Sequence, residues 1–262
     1  DLIDAISGQQ LITFTRASAG TYVGSDGLIK TATTNEARFD HDPVTGESLG
    51  LLVEEQRTNG IRNNTMAGAS APSTIPTNWS AQSSAAGINF EVVGVGTESG
   101  ITYIDIRQHG TPSTNGTTLI TFEQNTTNAA ASGETWTLSS YCRLTAGTLP
   151  SILDLRARIG GSGGSFLEVI STAIDPTSSP LISQRFTNVA ALNNAATEFI
   201  TARIDAAVFS GVPVDFTLRI GMPQLEKGAF ATSVIPTTGS TVTRSADVVS
   251  ITGANFSSWF NE

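Results

Sequence analysis

The clearest strand pattern in the chain lies at residues 136–144, which read WTLSSYCRL. Apolar and polar side chains alternate there, and a period of two puts one face of a strand into a core and the other into solvent. The same alternation recurs at residues 88–92, 102–107, 153–159 and 216–220. Because Gly, Ser, Thr and Asn fill the intervening loops, the pattern predicts an all-β fold, a jelly-roll β-sandwich over residues 86–222.

The segments on either side of this predicted sandwich are less regular. Residues 1–60 are predicted to be an extended anchoring segment with a β-hairpin around the turn at residues 24–27, after a helical turn within residues 1–10. Residues 61–85 are rich in Ala, Ser and Pro and are interpreted as a linker. Residues 223–262 are interpreted as an irregular return segment. Its last aromatic side chains predict that a further domain follows: Phe256, Trp259 and Phe260.

Charge and composition limit the classes of partner. The chain has 14 Lys and Arg against 23 Asp and Glu, a net charge of −9. A negative surface repels phosphate backbones, so no nucleic acid partner is expected. The one cysteine, Cys142, cannot form a disulfide within the chain. No apolar run reaches the length of a membrane span, so no membrane insertion is expected.

Two stretches of the sequence resemble phage structural proteins. The first, within residues 13–59, includes ARFDHDPVTGESLGLLVEEQRTN; the second, within residues 219–253, includes QLEKGAFATSVIPTTGSTVTRSAD. These blocks are similar to blocks of phage and prophage tail-fibre, head-spike and related virion appendage proteins. Between the blocks, such proteins carry a jelly roll similar to carbohydrate-binding modules of the family 4 and 9 type.

This resemblance implies a non-catalytic module of a virion surface protein, such as a tail fibre, a head spike or a decoration protein. Its role would be host attachment, either by contact with cell-surface polysaccharide or by anchoring a receptor-binding domain. The implied partners are other virion proteins and further copies of the chain in a homo-oligomer, for instance a trimer. The implied location is the virion surface, after assembly in the host cytoplasm.

A glycan surface needs aromatic faces for stacking and polar side chains beside them. Alternation places the two tyrosines of the predicted strands on faces that they share with charged residues. The resulting candidate glycan-binding patch consists of Tyr103, Asp105, Arg107, Tyr141 and Arg143. The competing interpretation is that the aromatic residues fill the core, which is the expectation for Trp136.

A metal site is a second candidate, because clustered carboxylates suit calcium. Asp40, Asp42 and Glu47 surround a loop that does not match the EF-hand pattern, so a turn held by Asp side chains is the alternative. No cofactor is predicted, apart from a structural calcium. No G-x-S-x-G motif accompanies the histidines His41 and His109, and Cys142 is expected to be a buried, inert thiol.

Three functions follow from these patterns. The first is the virion surface module described above. The second is a carbohydrate-binding module of a secreted polysaccharide-degrading enzyme. The third is a glycan depolymerase, which needs two carboxylates across a cleft; Asp105, Asp154 and Glu168 are available, but their spacing selects no pair.

Overall fold

A computed structural model describes residues 12–252 and Ser257. The chain divides into two compact units: unit 1 comprises residues 1–57 and 243–262, and unit 2 comprises residues 58–242. The strands are numbered β1 to β19 in chain order. The predicted helical turn at residues 1–10 and the aromatic residues Phe256, Trp259 and Phe260 lie outside the described residues.

Unit 1 is built from short antiparallel strand pairs. β1 (Thr13–Thr15) pairs with β19 (Val248–Ser250), and β2 (Gly20–Val23) with β3 (Ile29–Ala32). The second pair is the predicted hairpin, and Gly27 turns it with a φ of +71° that favours glycine. β4 (Phe39–His41) pairs with β5 (Ser48–Leu51). The hairpin prediction is therefore confirmed.

Buried ion pairs hold these short strands together. Asp247 accepts hydrogen bonds from Arg16 at 3.1 Å and from Arg38 at 2.5 Å. Glu54 binds Arg38 at 2.7 Å and Arg244 at 2.9 Å. The three arginines are at most 1% exposed, so each needs its carboxylate partner inside the unit. All five residues lie within the two stretches that carry the phage resemblance, residues 13–59 and 219–253.

The chain passes between the units within β6 (Arg57–Asn59) and again within β18 (Val242–Arg244). Unit 2 contains two larger sheets. The first sheet has the order β15 (Arg185–Ala191), β12 (Thr135–Gly147), β17 (Val214–Lys227), β9 (Ile101–Gly110), β8 (Ile88–Glu98), and its neighbours are antiparallel. The second sheet has the order β14 (Phe166–Ala173), β13 (Leu153–Gly160), β16 (Phe199–Val208), β10 (Gly116–Thr121), β7 (Ser80–Ser83), and β11 (Asn128–Ala129) also pairs with β16.

The core of unit 2 lies between these sheets. Leu138, Cys142 and Ile104 of the first sheet and Leu155 and Ile204 of the second belong to one buried cluster. All of them except Ile204 occupy apolar positions of the alternating segments, and each fully buried aliphatic side chain contributes about 1.5–3 kcal/mol. The predicted all-β jelly-roll sandwich is confirmed. Two 3-10 turns, Ser162–Gly164 and Leu181–Ser183, interrupt the strands.

Both boundaries predicted for the sandwich need correction. The segment 61–85 is not a linker, because it contributes β7 to the second sheet and the buried side chains of Ile61 and Trp79 to the core. The last long strand, β17, continues past residue 222 to Lys227. A register shift opposite Ser139 and Tyr141 accommodates Pro223, and such irregularities are where a sheet tolerates proline.

The part of the second resemblance block that lies in unit 2, up to Val242, is held there by buried polar side chains. Asn59 Oδ1 accepts hydrogen bonds from the backbone N–H groups of Ile61 (3.0 Å) and Leu225 (3.1 Å). Glu226 accepts from the Thr232 N–H at 2.8 Å and from its hydroxyl at 2.7 Å. These bonds satisfy backbone groups that no strand pairs. The block thus specifies how the chain returns after β17.

Candidate functional site

The five residues of the predicted glycan patch lie on one face of the first sheet, the face turned away from the core. Tyr103, Asp105 and Arg107 alternate along β9 with the core residues Ile104 and Ile106. Tyr141 and Arg143 take the corresponding positions on β12. The two strands are not neighbours, since β17 runs between them and pairs with both.

β17 supplies the residue that the sequence interpretation missed, Arg219. Its guanidinium donates to both carboxylate oxygens of Asp105 at 2.8 Å and to Glu98 at 2.6 Å. Arg143 reaches the same Glu98 at 3.0 Å. The hydrogen bond to Asp105, above all, raises the pKa of Arg219. Burial raises the pKa of Glu98, but bonds from the Leu181 backbone and Arg219 outweigh it and lower that pKa.

The aromatic rings of the patch are covered. The Arg219 guanidinium carbon lies 3.6 Å from the Tyr103 ring centroid. Tyr141 is only 5% exposed, and the Arg185 guanidinium carbon lies 5.6 Å from its ring centroid. Sugar stacking needs an exposed ring face. Arg107 is held by two bonds to Asp215, at 2.9 and 2.8 Å. The patch residues are therefore engaged with charged side chains outside the patch, chiefly Arg219, Glu98 and Asp215.

The outer face of the second sheet differs, because it carries an open polar cleft of about 480 Å³. The strands β7, β10 and β16 form its floor and the loop after β10 forms a side. The lining residues are Asn78, Trp79, Ser80, Gln82, Leu119, Thr121, Glu123, Gln124, Asn125 and Arg203. The cleft lies wholly within unit 2.

Most side chains around the cleft are neutral hydrogen-bonding groups. Gln82, Gln124 and Asn125 are exposed. Glu123 is buried and committed to Arg62, with bonds of 3.0 Å to Nε and 2.7 Å to Nη2. Trp79 is 7% exposed and belongs to the core below, with its indole N–H bonded to the Asn63 carbonyl at 2.8 Å. The cleft therefore offers amides and hydroxyls, with Arg203 as its one cationic lining residue.

Charged side chains continue from Arg203 along the same face. Arg203 binds Asp205 at 2.9 Å, and Arg156 binds Asp205 at 3.0 Å and Asp154 at 2.6 Å. Burial raises the pKa of Asp205 and lowers the pKa of Arg203. The alternation LDLRARI at residues 153–159 already places Asp154 and two arginines on one strand face. That pattern was the signal that could have located this surface.

The metal candidates are not assembled into a site. Asp42 accepts backbone hydrogen bonds from Val44 at 2.8 Å and Thr45 at 2.7 Å, and the Thr45 bond, followed by the Val44 bond, lowers its pKa. Asp40 accepts from the Val23 N–H at 2.7 Å, and the backbone carbonyl of Glu47 accepts from the Asp42 N–H at 2.8 Å. Among residues 12–252, no three His, Cys, Asp or Glu side chains are placed to share a metal ion. The alternative of an Asp-held turn describes this loop.

The nucleophile candidates are also accounted for. Cys142 is fully buried, and burial raises the pKa of its thiol to about 12, so the buried cysteine that the sequence predicted is the one found. His41 contacts the Val23 carbonyl through Nδ1 at 3.2 Å. Asp105 and Asp154 lie on the outer faces of opposite sheets, so this pair cannot flank one glycosidic bond. Within the part of the chain that is described, no helix has the length and apolarity of a membrane span.

Comparison with known proteins finds likeness in structure alone. No protein-family profile and no curated protein matches the sequence. A carbohydrate-binding module of the β-sandwich superfamily is 12% identical, with a TM-score of 0.44, and the match covers 85% of this chain and 87% of that one. The xylan-binding domain CBM22-1 of Paenibacillus barcinonensis is 11% identical over 67% of this chain and 94% of that one, with a TM-score of 0.37.

The tailspike protein 4 domain of bacteriophage CBA120 is a further match. It is 10% identical with a TM-score of 0.40, and the match covers 58% of this chain. The chain spans only 20% of the length of that tailspike domain. At such identities and TM-scores, what this chain binds has to follow from its own residues.

Proposed function

We propose that this chain is a non-catalytic β-sandwich module of a phage virion surface protein, and that it binds polysaccharide in the cleft on the second sheet. The observation that carries the proposal is the cleft of about 480 Å³ lined by hydroxyl, amide and guanidinium groups. Its volume falls in the range of small-ligand sites, about 300–1,000 Å³.

The chemistry of the cleft suits sugar hydroxyls. Each sugar hydroxyl both donates and accepts hydrogen bonds. An amide side chain such as that of Gln82 or Asn125 can bind it through both its N–H donor and its carbonyl acceptor. Because Gln82 and Thr121 stand on strands, their positions are set before a ligand arrives, which lowers the entropy cost of binding. Four or five net hydrogen bonds of about 1 kcal/mol correspond to a dissociation constant of about 0.1–1 mM.

The virion assignment has a different support, the two sequence blocks. Several of their polar residues are buried and bonded, among them Arg38, Arg244 and Asp247 in unit 1 and Gln224 and Glu226 in unit 2. In this proposal the blocks maintain a scaffold, while the sandwich surface is free to vary with the host. The module is expected to work with other virion proteins and with copies of itself on the virion surface. Light scattering that reports a monomer at every concentration would contradict the homo-oligomer.

The test is an array of bacterial and plant polysaccharides probed with the labelled chain. We expect binding to bacterial surface glycans and a loss of at least tenfold in Gln82→Ala, whose exposed edge-strand position spares the fold. Arg107→Ala, in the patch on the opposite sheet, is the matched control and should bind as the parent does.

Three results would count against this assignment. Loss in Arg107→Ala with retention in Gln82→Ala would move the site to the tyrosine patch. Binding to plant polysaccharide alone would favour the module of a secreted enzyme. A silent array would contradict glycan binding and leave an anchoring role.

A further inference from the structure

The outer face of the second sheet carries three arginines on two neighbouring strands. Arg156 lies directly opposite Arg203. Two residues further along β13, Arg158 lies directly opposite Thr201. The three side chains therefore point to the same side of the sheet, since directly opposed residues share a face. We name Arg156, Arg158 and Arg203 the arginine cluster.

Carboxylates neutralise only part of this cluster. One oxygen of Asp205 serves both Arg156 (3.0 Å) and Arg203 (2.9 Å), while Asp154 serves Arg156. Among the described residues, no carboxylate lies within 4.0 Å of Arg158, which donates instead to the Gly164 carbonyl at 2.9 Å. Three positive charges thus meet two negative charges, although the whole chain carries a net charge of −9.

The cluster also holds hydrogen-bonding capacity that the described chain leaves unused. Arg158 is only 9% exposed, yet its Nη1 has no hydrogen-bond partner within the described residues. The same is true there of Arg203 Nε and of the Thr201 hydroxyl, which lies opposite Arg158. Burial of a donor without a partner is unfavourable. A ligand that accepts hydrogen bonds would remove this cost, and an anion would also balance the charge.

The cluster adjoins the cleft at two points. Arg203 is itself a lining residue of the cleft. Gly164, which accepts the bond from Arg158, packs against the loop that bears Asn125: a Cβ added to Gly164 would lie 2.7 Å from Thr126 and 3.7 Å from Asn125. Asn125 also lines the cleft. Arg158 therefore lies close to the loop that lines the cleft at Asn125.

We propose that the glycan bound in the cleft is acidic, with an oxyanion group of the sugar placed against Arg203 and Arg158. This inference rests on the proposed function and names its ligand class. Carboxylate, sulfate and phosphate substituents share the required chemistry, a negative oxygen acceptor for guanidinium donors. Neutral neighbouring sugar units would contact the amide and hydroxyl side chains of the cleft.

The experiment compares matched pairs of oligosaccharides by calorimetry with the full chain. The probes are an oligogalacturonate and its methyl ester, a sulfated chondroitin oligosaccharide and its desulfated form, and a phosphorylated mannan oligosaccharide and its dephosphorylated form. We expect at least one acidic member to bind tenfold or more tightly than its neutral partner. We also expect that preference to weaken about tenfold between 20 and 200 mM salt.

Variants assign the preference to the cluster. Arg158→Gln should abolish the acidic preference, whereas Arg158→Lys, which keeps the charge, should retain part of it. Arg107→Gln on the opposite sheet should change nothing, and thermal melts show whether each variant is folded. Equal affinity for both members of every pair that binds, or an acidic preference that survives in folded Arg158→Gln, overturns the inference.

The failures of the two proposals are distinguishable. If the chain binds only neutral glycans on the array, the acidic ligand is wrong but the cleft as a glycan site stands. If no glycan of either kind binds on the array or by calorimetry, both proposals are contradicted.

Discussion

Arg219 lies over Tyr103, with 3.6 Å between its guanidinium carbon and the ring centroid. The same guanidinium binds Asp105 with two hydrogen bonds of 2.8 Å. One arginine thus occupies both features that would make this sheet face attractive to a sugar, the ring face and the carboxylate. The patch is a network that ties β9 to β17, and its first measurable property should be stability.

We expect Arg219→Ala to lower the free energy of unfolding by about 1–3 kcal/mol, because it leaves two partly buried carboxylates, Asp105 and Glu98, without their main partner. Urea unfolding monitored by tryptophan fluorescence measures this. Arg107→Ala, which breaks a more exposed pair with Asp215, should produce no measurable change. If both variants lowered the free energy of unfolding equally, the Arg219 network would contribute no more to stability than the exposed pair does.

The lowered pKa of Glu98 predicts a pH dependence. A carboxyl whose pKa is lower in the folded state binds fewer protons there than in the unfolded chain. Its contribution to folding stability is therefore fully present above its ordinary pKa of 4.5, and it is lost as the pH falls through the pKa of the folded state. Glu98→Gln should therefore have a lower melting temperature than the parent at pH 7. The difference between the two melting temperatures should become smaller below pH 4. Melting curves from pH 7 to pH 3 test this, and a constant difference would contradict it.

Unit 1 should depend on its buried charges more than on its short strands. Asp247→Asn removes the charge that Arg16 and Arg38 share, and we expect a loss of about 3–5 kcal/mol. Hydrogen exchange at the amides of β1 and β2 reports this loss within unit 1. Asp26→Asn breaks an exposed pair with Lys30 and serves as the control; it should leave the exchange rates unchanged. Native exchange rates in Asp247→Asn would refute the structural role of these pairs.

Cys142 gives a simple probe of the sandwich core. Burial raises its thiol pKa to about 12, so the native chain should not react with a thiol reagent at pH 8, and reaction should begin only when the sandwich opens. The measurement is the labelling rate across a urea series. Rapid labelling of the native protein would mean that β12 is not packed as described.

The sandwich could be predicted because alternation of apolar and polar residues is a local pattern. Leu138 and Cys142, for example, are four residues apart, which is two strand periods, and both side chains enter the same core. Residues 61–85 were wrongly interpreted as a linker because their core residues are isolated in the sequence. Ile61 and Trp79 stand among polar neighbours and form no alternating pattern. The end of β17 was missed because Gly221 and Pro223 suggest a break, whereas a register shift absorbs them.

The site could be predicted only in part, for a related reason. Alternation correctly placed Tyr103, Asp105 and Arg107 on one face, but strand order is a long-range property that no local pattern contains. The sequence therefore could not show that Arg219 would come between Asp105 and Arg143. Nor could it show that Gln82, Asn125 and Arg203, far apart in the chain, would line one cleft.

Whether the glycan occupies the cleft can be tested by a titration followed by nuclear magnetic resonance, using an acidic oligosaccharide that binds on the array. The side-chain amide signals of Gln82, Gln124 and Asn125 report the cleft, and the Arg219 side-chain signal reports the opposite sheet. We expect the three amide signals to move in a saturable way while the Arg219 signal stays in place. Movement of the Arg219 signal, with the cleft amides unchanged, would contradict it.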